Sequence, residues 1–223
     1  MILLAGGMGT RMKEAVPKQH MLLYGKPMII HVLEKVDSIE EIDRIIVTCP
    51  SSYIDKTREI VEKYNIRKQL LMIEGGETRQ ESVYNALQHV QSERVIIHEA
   101  ARPFVLRREF QALISLPEEN ATYAIDIPFT VLKGKQVIEQ NLNRSELLNI
   151  QLPQKFHAMK LLEAHRSARR DGKEFTEDAS LLFEYTKEAI KVIPGTEYNL
   201  KITKPVDLKL GEIIYRDYII GEE

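Results

Sequence analysis

The sequence predicts an α/β fold, a mostly parallel sheet with helices on both faces. Three observations carry that prediction. Short aliphatic or β-branched runs alternate with charged, helix-periodic segments from Met1 to Ile127. The first run opens directly into a glycine-rich loop, Ala5-Gly6-Gly7-Met8-Gly9. A carboxylate, Glu99, stands at the end of a later run, where a doubly wound sheet places its ligand groups.

Met1-Ile2-Leu3-Leu4 reads as a short buried first strand. Lys26 to Val36 follows a turn at Gly25. Its Met28, Val32 and Val36 recur at helical spacing, and Pro27 suits a first helical turn. Arg44 to Cys49 is a continuous apolar and β-branched run, as in a strand buried on both faces. Tyr53 to Tyr64 is charged and periodic, hence a helix, and Leu70 to Ile73 is the next strand. Gly75 and Gly76 turn the chain into a helix beginning near Arg79, with Ser82 projecting from its first turn. Arg94 to His98 is a strand that runs into Glu99, and Arg107 to Leu116 a helix.

Beyond a strand over Ala121–Ile127 the alternation breaks. Phe129 to Lys133, the turn Gly134-Lys135 and Gln136 to Gln140 predict a β-hairpin. Such a pair is marginal alone, so residues 129–150 are expected to form an arm that packs on another subunit. Gln151 to Phe156 returns the chain to the sheet, and His157 to Arg170 is a helix. Thr176 or Asp178 is expected to cap the helix that follows. Ala189 to Gly195 is a strand and turn, Lys201 ends a further short strand, and Pro205 opens the last helix. No linker interrupts this order, so residues 1–223 are expected to fold as one domain.

Bulk properties exclude several classes. The 223 residues are 43% hydrophobic and 29% charged, with a formal net charge of -2. That balance provides no global basic field for nucleic acid. No stretch approaches the ~20 apolar residues of a membrane span, and no basic-then-apolar leader opens the chain. The single cysteine, Cys49, allows no internal disulfide and is expected to be a small buried hydrophobe in a reducing cytoplasm.

The loop after the first strand is the chemical centre of the sequence. Its glycines allow backbone N–H groups to approach phosphate closely, and Arg11 and Lys18 add positive charge on the same excursion. Met12 stands where a dinucleotide fingerprint has its third glycine, and no Gly-Lys-Ser/Thr follows. What remains reads as a clamp for a nucleoside triphosphate. Glu99 is a candidate oxygen ligand for Mg²⁺ shared with phosphate, and Arg102 a candidate for a substrate phosphate. The same two residues also allow a plain surface ion pair.

Five stretches, in order, carry a resemblance: Leu4 to Met12 with Pro17-Lys18-Gln19; Gly75 to Val83; His98 to Pro103; Thr176 to Ala179; and Asn199 to Pro205. Together they resemble the cytidylyltransferases related to 4-diphosphocytidyl-methylerythritol synthase and ribitol-5-phosphate cytidylyltransferase. The resemblance implies a Rossmann-like nucleotidyltransferase fold and a homodimer held partly by the hairpin arm. It implies that Ala5, Gly6, Gly7, Gly9, Arg11 and Lys18 hold the triphosphate of CTP. Gly76, Glu77, Arg79, Ser82 and Ala100 would lie around the nucleotide, and Glu99 would bind Mg²⁺. Arg102, Arg144 and Thr176 would hold the acceptor, a polyol phosphate, while Arg11, Lys18 and Lys201 would act in catalysis.

Three departures fall mainly on the acceptor side. Glu99 is one methylene longer than the family's usual aspartate. Leu152-Pro153-Gln154 replaces Thr-Pro-Gln and lacks a hydroxyl near the acceptor phosphate. Thr130 to Lys133 replaces an Asp-Thr-x-Lys type of arm sequence. The expected reaction is direct attack of the acceptor phosphate on the α-phosphorus of CTP, releasing pyrophosphate. Two other readings remain open: a sugar-1-phosphate nucleotidyltransferase using another nucleotide, and an inactive nucleotide-binding paralogue.

Overall fold

The structure, a computed structural model, describes residues 1–7 and 17–222. β1 (Ile2–Leu4) precedes the glycine loop, and a ribbon of β2 (Leu22–Leu23) and β3 (Lys26–Pro27) leads into α1 (Met28–Asp37). Strict alternation follows: β4 (Arg44–Cys49), α2 (Ile54–Glu62), β5 (Gln69–Glu74), α3 (Arg79–Leu87), β6 (Arg94–Glu99) and α4 (Arg107–Ser115). After β7 (Ala121–Asp126), β8 (Val131–Gly134) and β9 (Ile138–Leu142) form a separate hairpin. β10 (Leu148–His157), α5 (Ala158–Arg170), α6 (Asp178–Thr186), β11 (Lys191–Pro194) and α7 (Pro205–Ile214) complete the order.

Seven strands form one sheet in the order β11-β7-β10-β6-β1-β4-β5. All pairings in it are parallel except those of β10, which runs antiparallel to both β6 and β7. Side-chain alternation explains why both faces are covered. Leu3, Ile45, Val47 and Ile96 face one apolar cluster, built with α1 and α4 through Ile29, Leu33, Phe110 and Leu113. Their neighbours Ile2, Leu4, Ile46 and Ile97 face the other, built with α3, α5 and α6 through Val83, Leu161 and Leu182. A strand whose every residue is apolar can satisfy both clusters at once.

Strand order reverses at β1. The chain steps outward from β1 to β4 and β5, then returns to place β6 on the other side of β1. In doubly wound sheets ligands bind at such a switch, outside the carboxyl ends of the strands, and Ala5-Gly6-Gly7 and Glu99 emerge there.

Several expectations need correction. Residues around Lys201 form no strand. Leu200 N–H bonds back to Tyr198 O, and among the described residues only Ile202 N–H makes a backbone bond to the neighbouring segment, at Ala101 O. One isolated bond of that kind cannot make a ladder. Pro27 is the residue before α1 rather than in its first turn, because it pairs with Leu22 in the small ribbon. The arm ends earlier than residue 150, since β10 takes up Leu148 and pairs it with Asp126 in the main sheet. Neither Thr176 nor Asp178 caps α6. Glu177 does, its carboxylate accepting from the N–H groups of Ala179 and Ser180. Cys49 is fully buried, as expected.

Candidate functional site

Three loop segments meet at the switch. Leu4 lies opposite both Thr48 of β4 and Glu99 of β6. Just beyond the strands, Ala5 N–H donates to Thr48 O, Gly75 N–H to Cys49 O, and Ala100 N–H to Leu4 O. The backbone thus carries Ala5-Gly6-Gly7, Gly75-Gly76 and Ala100 to one edge. Ser82, buried in the first turn of α3, ties that edge together. It accepts from Gly76 N–H at 3.0 Å and donates to Thr78 O at 3.0 Å. Gly76 has no alternative there, because a Cβ would lie 2.1 Å from the Cβ of Glu81.

A buried charge network occupies this edge of the sheet. Glu99 faces Lys201 Nζ through Oε2 at 2.6 Å and Arg79 Nε through Oε1 at 3.0 Å. Burial alone would raise the Glu99 carboxyl; Lys201 and then Arg79 outweigh it and hold it at about 2. Arg79 also reaches Asp178 Oδ2 through Nη1 at 2.7 Å, and His165 Nε2 meets Asp178 Oδ1 at 3.0 Å. Burial opposes the charge on Asp178 as well, but Arg79 and His165 keep its carboxyl below the ordinary range. The ion pair expected as an alternative, Glu99 with Arg102, is not formed; Arg102 Nη1 donates to Asn199 O at 2.8 Å instead.

Lys18 joins the same edge. It sits in a short 3-10 turn, Lys18–His20, and its Nζ donates to Ile202 O at 3.3 Å. Its aliphatic chain passes over Gly7, where a Cβ would come within 2.8 Å of Lys18 Cε. Because Ile202 N–H also binds Ala101 O, Lys18, Lys201 and Glu99 are linked through one short run of backbone. Arg102 Nε and Asn199 Oδ1 have no hydrogen-bond partner among the described residues.

The structure therefore brings together Ala5, Gly6, Gly7, Lys18, Gly76, Ser82, Glu99, Ala100, Arg102 and Lys201. Arg79 is there too, with its guanidinium between two carboxylates rather than turned outward. Glu77 is held beside them by its N–H bond to Glu81 Oε2. Thr176 is exposed on the segment before α6. Arg144 stands apart, exposed at the end of the hairpin and donating to Pro128 O at 2.7 Å. Gly9 and Arg11 lie outside the described residues.

Sequence reasoning missed Asp178 as Arg79's partner, and His165 altogether. Asp178 was visible within the Thr176 to Ala179 motif, but as a cap; its partner lies far away in sequence. A single histidine on the buried face of a charged, amphipathic helix carries no local signal. A separate cavity of about 590 Å³, lined in part by Met1, Arg44, Arg94 and Lys155, opens at the starts of β1, β4 and β6. It is at the opposite end of the sheet and holds none of the predicted site residues. Ala5-Gly6-Gly7 and the buried charges of Glu99, Arg79 and Lys201 lie at the carboxyl ends instead.

The chain is similar to known proteins in sequence and in fold. The profile of the IspD family, 2-C-methyl-D-erythritol 4-phosphate cytidylyltransferase, matches residues 1–217. The 2-C-methyl-D-erythritol 4-phosphate cytidylyltransferase of Bacillus mycoides (strain KBAB4) is 37% identical over 216 residues, covering 95% of each chain. The ribitol-5-phosphate cytidylyltransferase of Vibrio parahaemolyticus is 34% identical over 224 residues, covering 96% of this chain and 94% of that one. In three dimensions, 4-diphosphocytidyl-2C-methyl-D-erythritol synthase from Anaerococcus prevotii matches with a TM-score of 0.84 at 27% identity, over 96% of this chain and 94% of the other.

Proposed function

The chain belongs to the 2-C-methyl-D-erythritol 4-phosphate cytidylyltransferase family, and from that premise we propose that it transfers CMP from CTP to 2-C-methyl-D-erythritol 4-phosphate, releasing pyrophosphate. The observation that carries the reading is the Lys18, Lys201 and Glu99 cluster beside the glycine loop at the switch point. An acceptor phosphate is already an anion and needs no protein nucleophile. The chain's task is to align it with the α-phosphorus and to offset repulsion between two anions. Ala5, Gly6, Gly7 and Gly9 would present N–H groups to the triphosphate, with Arg11 and Lys18 as its counter-charges. Lys201 would leave Glu99 for the α-phosphate as charge develops there. Gly76, Glu77, Ser82 and Ala100 would frame the nucleoside, with Arg79 holding Glu99 behind them. Arg102 would orient the incoming phosphate, its Nε still open to a partner among the described residues.

Magnesium is part of this proposal. Glu99 is a buried, ionised, hard oxygen donor at the end of β6, and one of its oxygens already holds a cation, Lys201. One such carboxylate suits Mg²⁺, whose other ligands are phosphate oxygens and water. When bound, the ion would neutralise charge on the phosphates.

We further propose a homodimer, with the hairpin of one copy reaching the site of another. Phe129, Val137 and Ile138 are strongly exposed on that arm, and Arg144 sits at its end. Arg144 and Thr176 would then meet the acceptor from two chains. A cytoplasmic location fits the one free thiol. Ribitol 5-phosphate is the second acceptor considered, because Leu152 supplies no hydroxyl where the resembling pattern has threonine. Pyrophosphate release with CTP and Mg²⁺ decides between them. Turnover with methylerythritol 4-phosphate alone is expected; turnover with ribitol 5-phosphate alone would replace the acceptor, and none with either would refute both.

A further inference from the structure

We propose that Asp178, backed by His165, is a positioning residue that fixes how Arg79 meets Glu99 and so reserves Glu99 Oε2 for Lys201 and then for the metal. The role of Glu99 rests on the cytidylyltransferase reading above; the geometry does not.

A guanidinium facing a single carboxylate tends to form two parallel N–H···O bonds and so to engage both oxygens. Arg79 does not do this. Its Nε donates to Glu99 Oε1 at 3.0 Å, while its Nη1 makes an ion-pair contact with Asp178 Oδ2 at 2.7 Å. The two carboxylates belong to different elements, since Glu99 ends β6 and Asp178 opens α6. A planar group pinned to both cannot swivel onto Glu99 alone. Oε2 is thereby left to Lys201, at 2.6 Å.

Asp178 is itself held from behind. It is almost fully buried, and its Oδ1 meets His165 Nε2 at 3.0 Å. His165 is buried within α5, and its Nδ1 has no hydrogen-bond partner among the described residues. The ring thus spends its one visible hydrogen bond on Asp178. Glu177 takes over the capping of α6, which leaves the Asp178 carboxylate free for this task. Stability alone is a poor reason for such an arrangement. Buried ion pairs recover little more than the cost of desolvating them, whereas they can specify one geometry among several.

The test uses Mn²⁺ as the probe, with the non-reacting α,β-methylene analogue of CTP, reading free Mn²⁺ by electron paramagnetic resonance. Asp178→Asn is expected to weaken Mn²⁺ binding by about tenfold or more, the usual effect of losing a residue that orients a metal ligand. Analogue affinity without metal should stay within about twofold of the parent, because Asp178 touches no phosphate-facing group. His165→Leu should weaken Mn²⁺ in the same direction, and His165→Gln, whose amide nitrogen can still donate, should restore it. If Asp178→Asn fails to fold, the two His165 variants decide the matter. Parent-like Mn²⁺ binding by folded Asp178→Asn would overturn the proposal. So would equal loss in His165→Leu and His165→Gln, which would mean packing alone. Mn²⁺ binding with the expected dependence, but no pyrophosphate release with any polyol phosphate, would refute the reaction and leave the positioning role standing. A parent protein that binds no Mn²⁺ with the analogue would overturn the positioning role whatever the reaction.

Discussion

Glu99 and His98 are adjacent, both buried, and both titrate abnormally, with consequences for acid stability. Burial drives the His98 imidazole down from 6.5 to about 3, so it is neutral in the fold. The unfolded chain therefore binds the extra proton first, and stability falls as pH drops from 6.5 toward 3. Glu99 adds to the loss at lower pH. Burial raises its carboxyl and Lys201 more than reverses that, so its stabilisation is complete above 4.5 and disappears as pH falls toward about 2. Urea midpoints measured from pH 7 to 3 should decline throughout and steepen below 4.5. His98→Gln should flatten the upper part; an unchanged slope there would remove His98 from the account. His20, pushed down first by burial and then by Lys56, keeps some slope in that variant. For catalysis, Lys18→Ala is expected to lower kcat by about 10²-fold or more, as for loss of one transition-state donor. Normal turnover in the folded variant would exclude it. At this scale the grouping of Gly6, Gly7, Gly76, Lys18, Glu99 and Lys201 on one edge was legible because each lies in a short contiguous motif. Asp178 and His165 were not, because their meaning comes from a guanidinium that opens another helix.

Whole elements were easier to read where a strand is buried on both sides. Arg44 to Cys49 and Arg94 to His98 are apolar runs that only a covered sheet can accommodate, and both stand as β4 and β6. The stretch before Pro205 misled because Leu200 and Ile202 alternate like a strand, yet they pack beneath α7 with Leu23 and Phe104. Tertiary burial, not pairing, explains that pattern. Phe110 tests the packing of α4: it is fully buried on the face shared with α1. Phe110→Ala should cost about 3–5 kcal/mol of stability by urea unfolding. The hairpin makes the opposite prediction. Phe129 and Ile138 are 75% and 72% exposed, so Phe129→Asp with Ile138→Asp should leave the melting of an isolated chain nearly unchanged. Sedimentation should nevertheless shift toward monomer. A dimer that persists at the same concentration would remove those two side chains from the interface.

For the whole molecule, a ligand that binds only the folded chain must stabilise it. CTP at about a hundred times its Kd should add about 2.7 kcal/mol, or roughly 5–10 °C in Tm for a chain of this size. An unmoved Tm would speak against the nucleotide site. The architecture was predictable at this scale because strand and helix alternate, and the antiparallel return of β10 was expected only as a return to the sheet. The central place of β1 has a different consequence, in time. Ile2 pairs with Ile46 on one side and Ile97 on the other. During synthesis, a three-residue strand that ends at the glycine loop must wait for β6, a delay on the order of ten seconds at ordinary elongation rates. Until then its apolar side chains have one neighbour at most. Contacts so distant in sequence close slowly, so the nucleotide-facing edge is among the last parts of the sheet that can assemble.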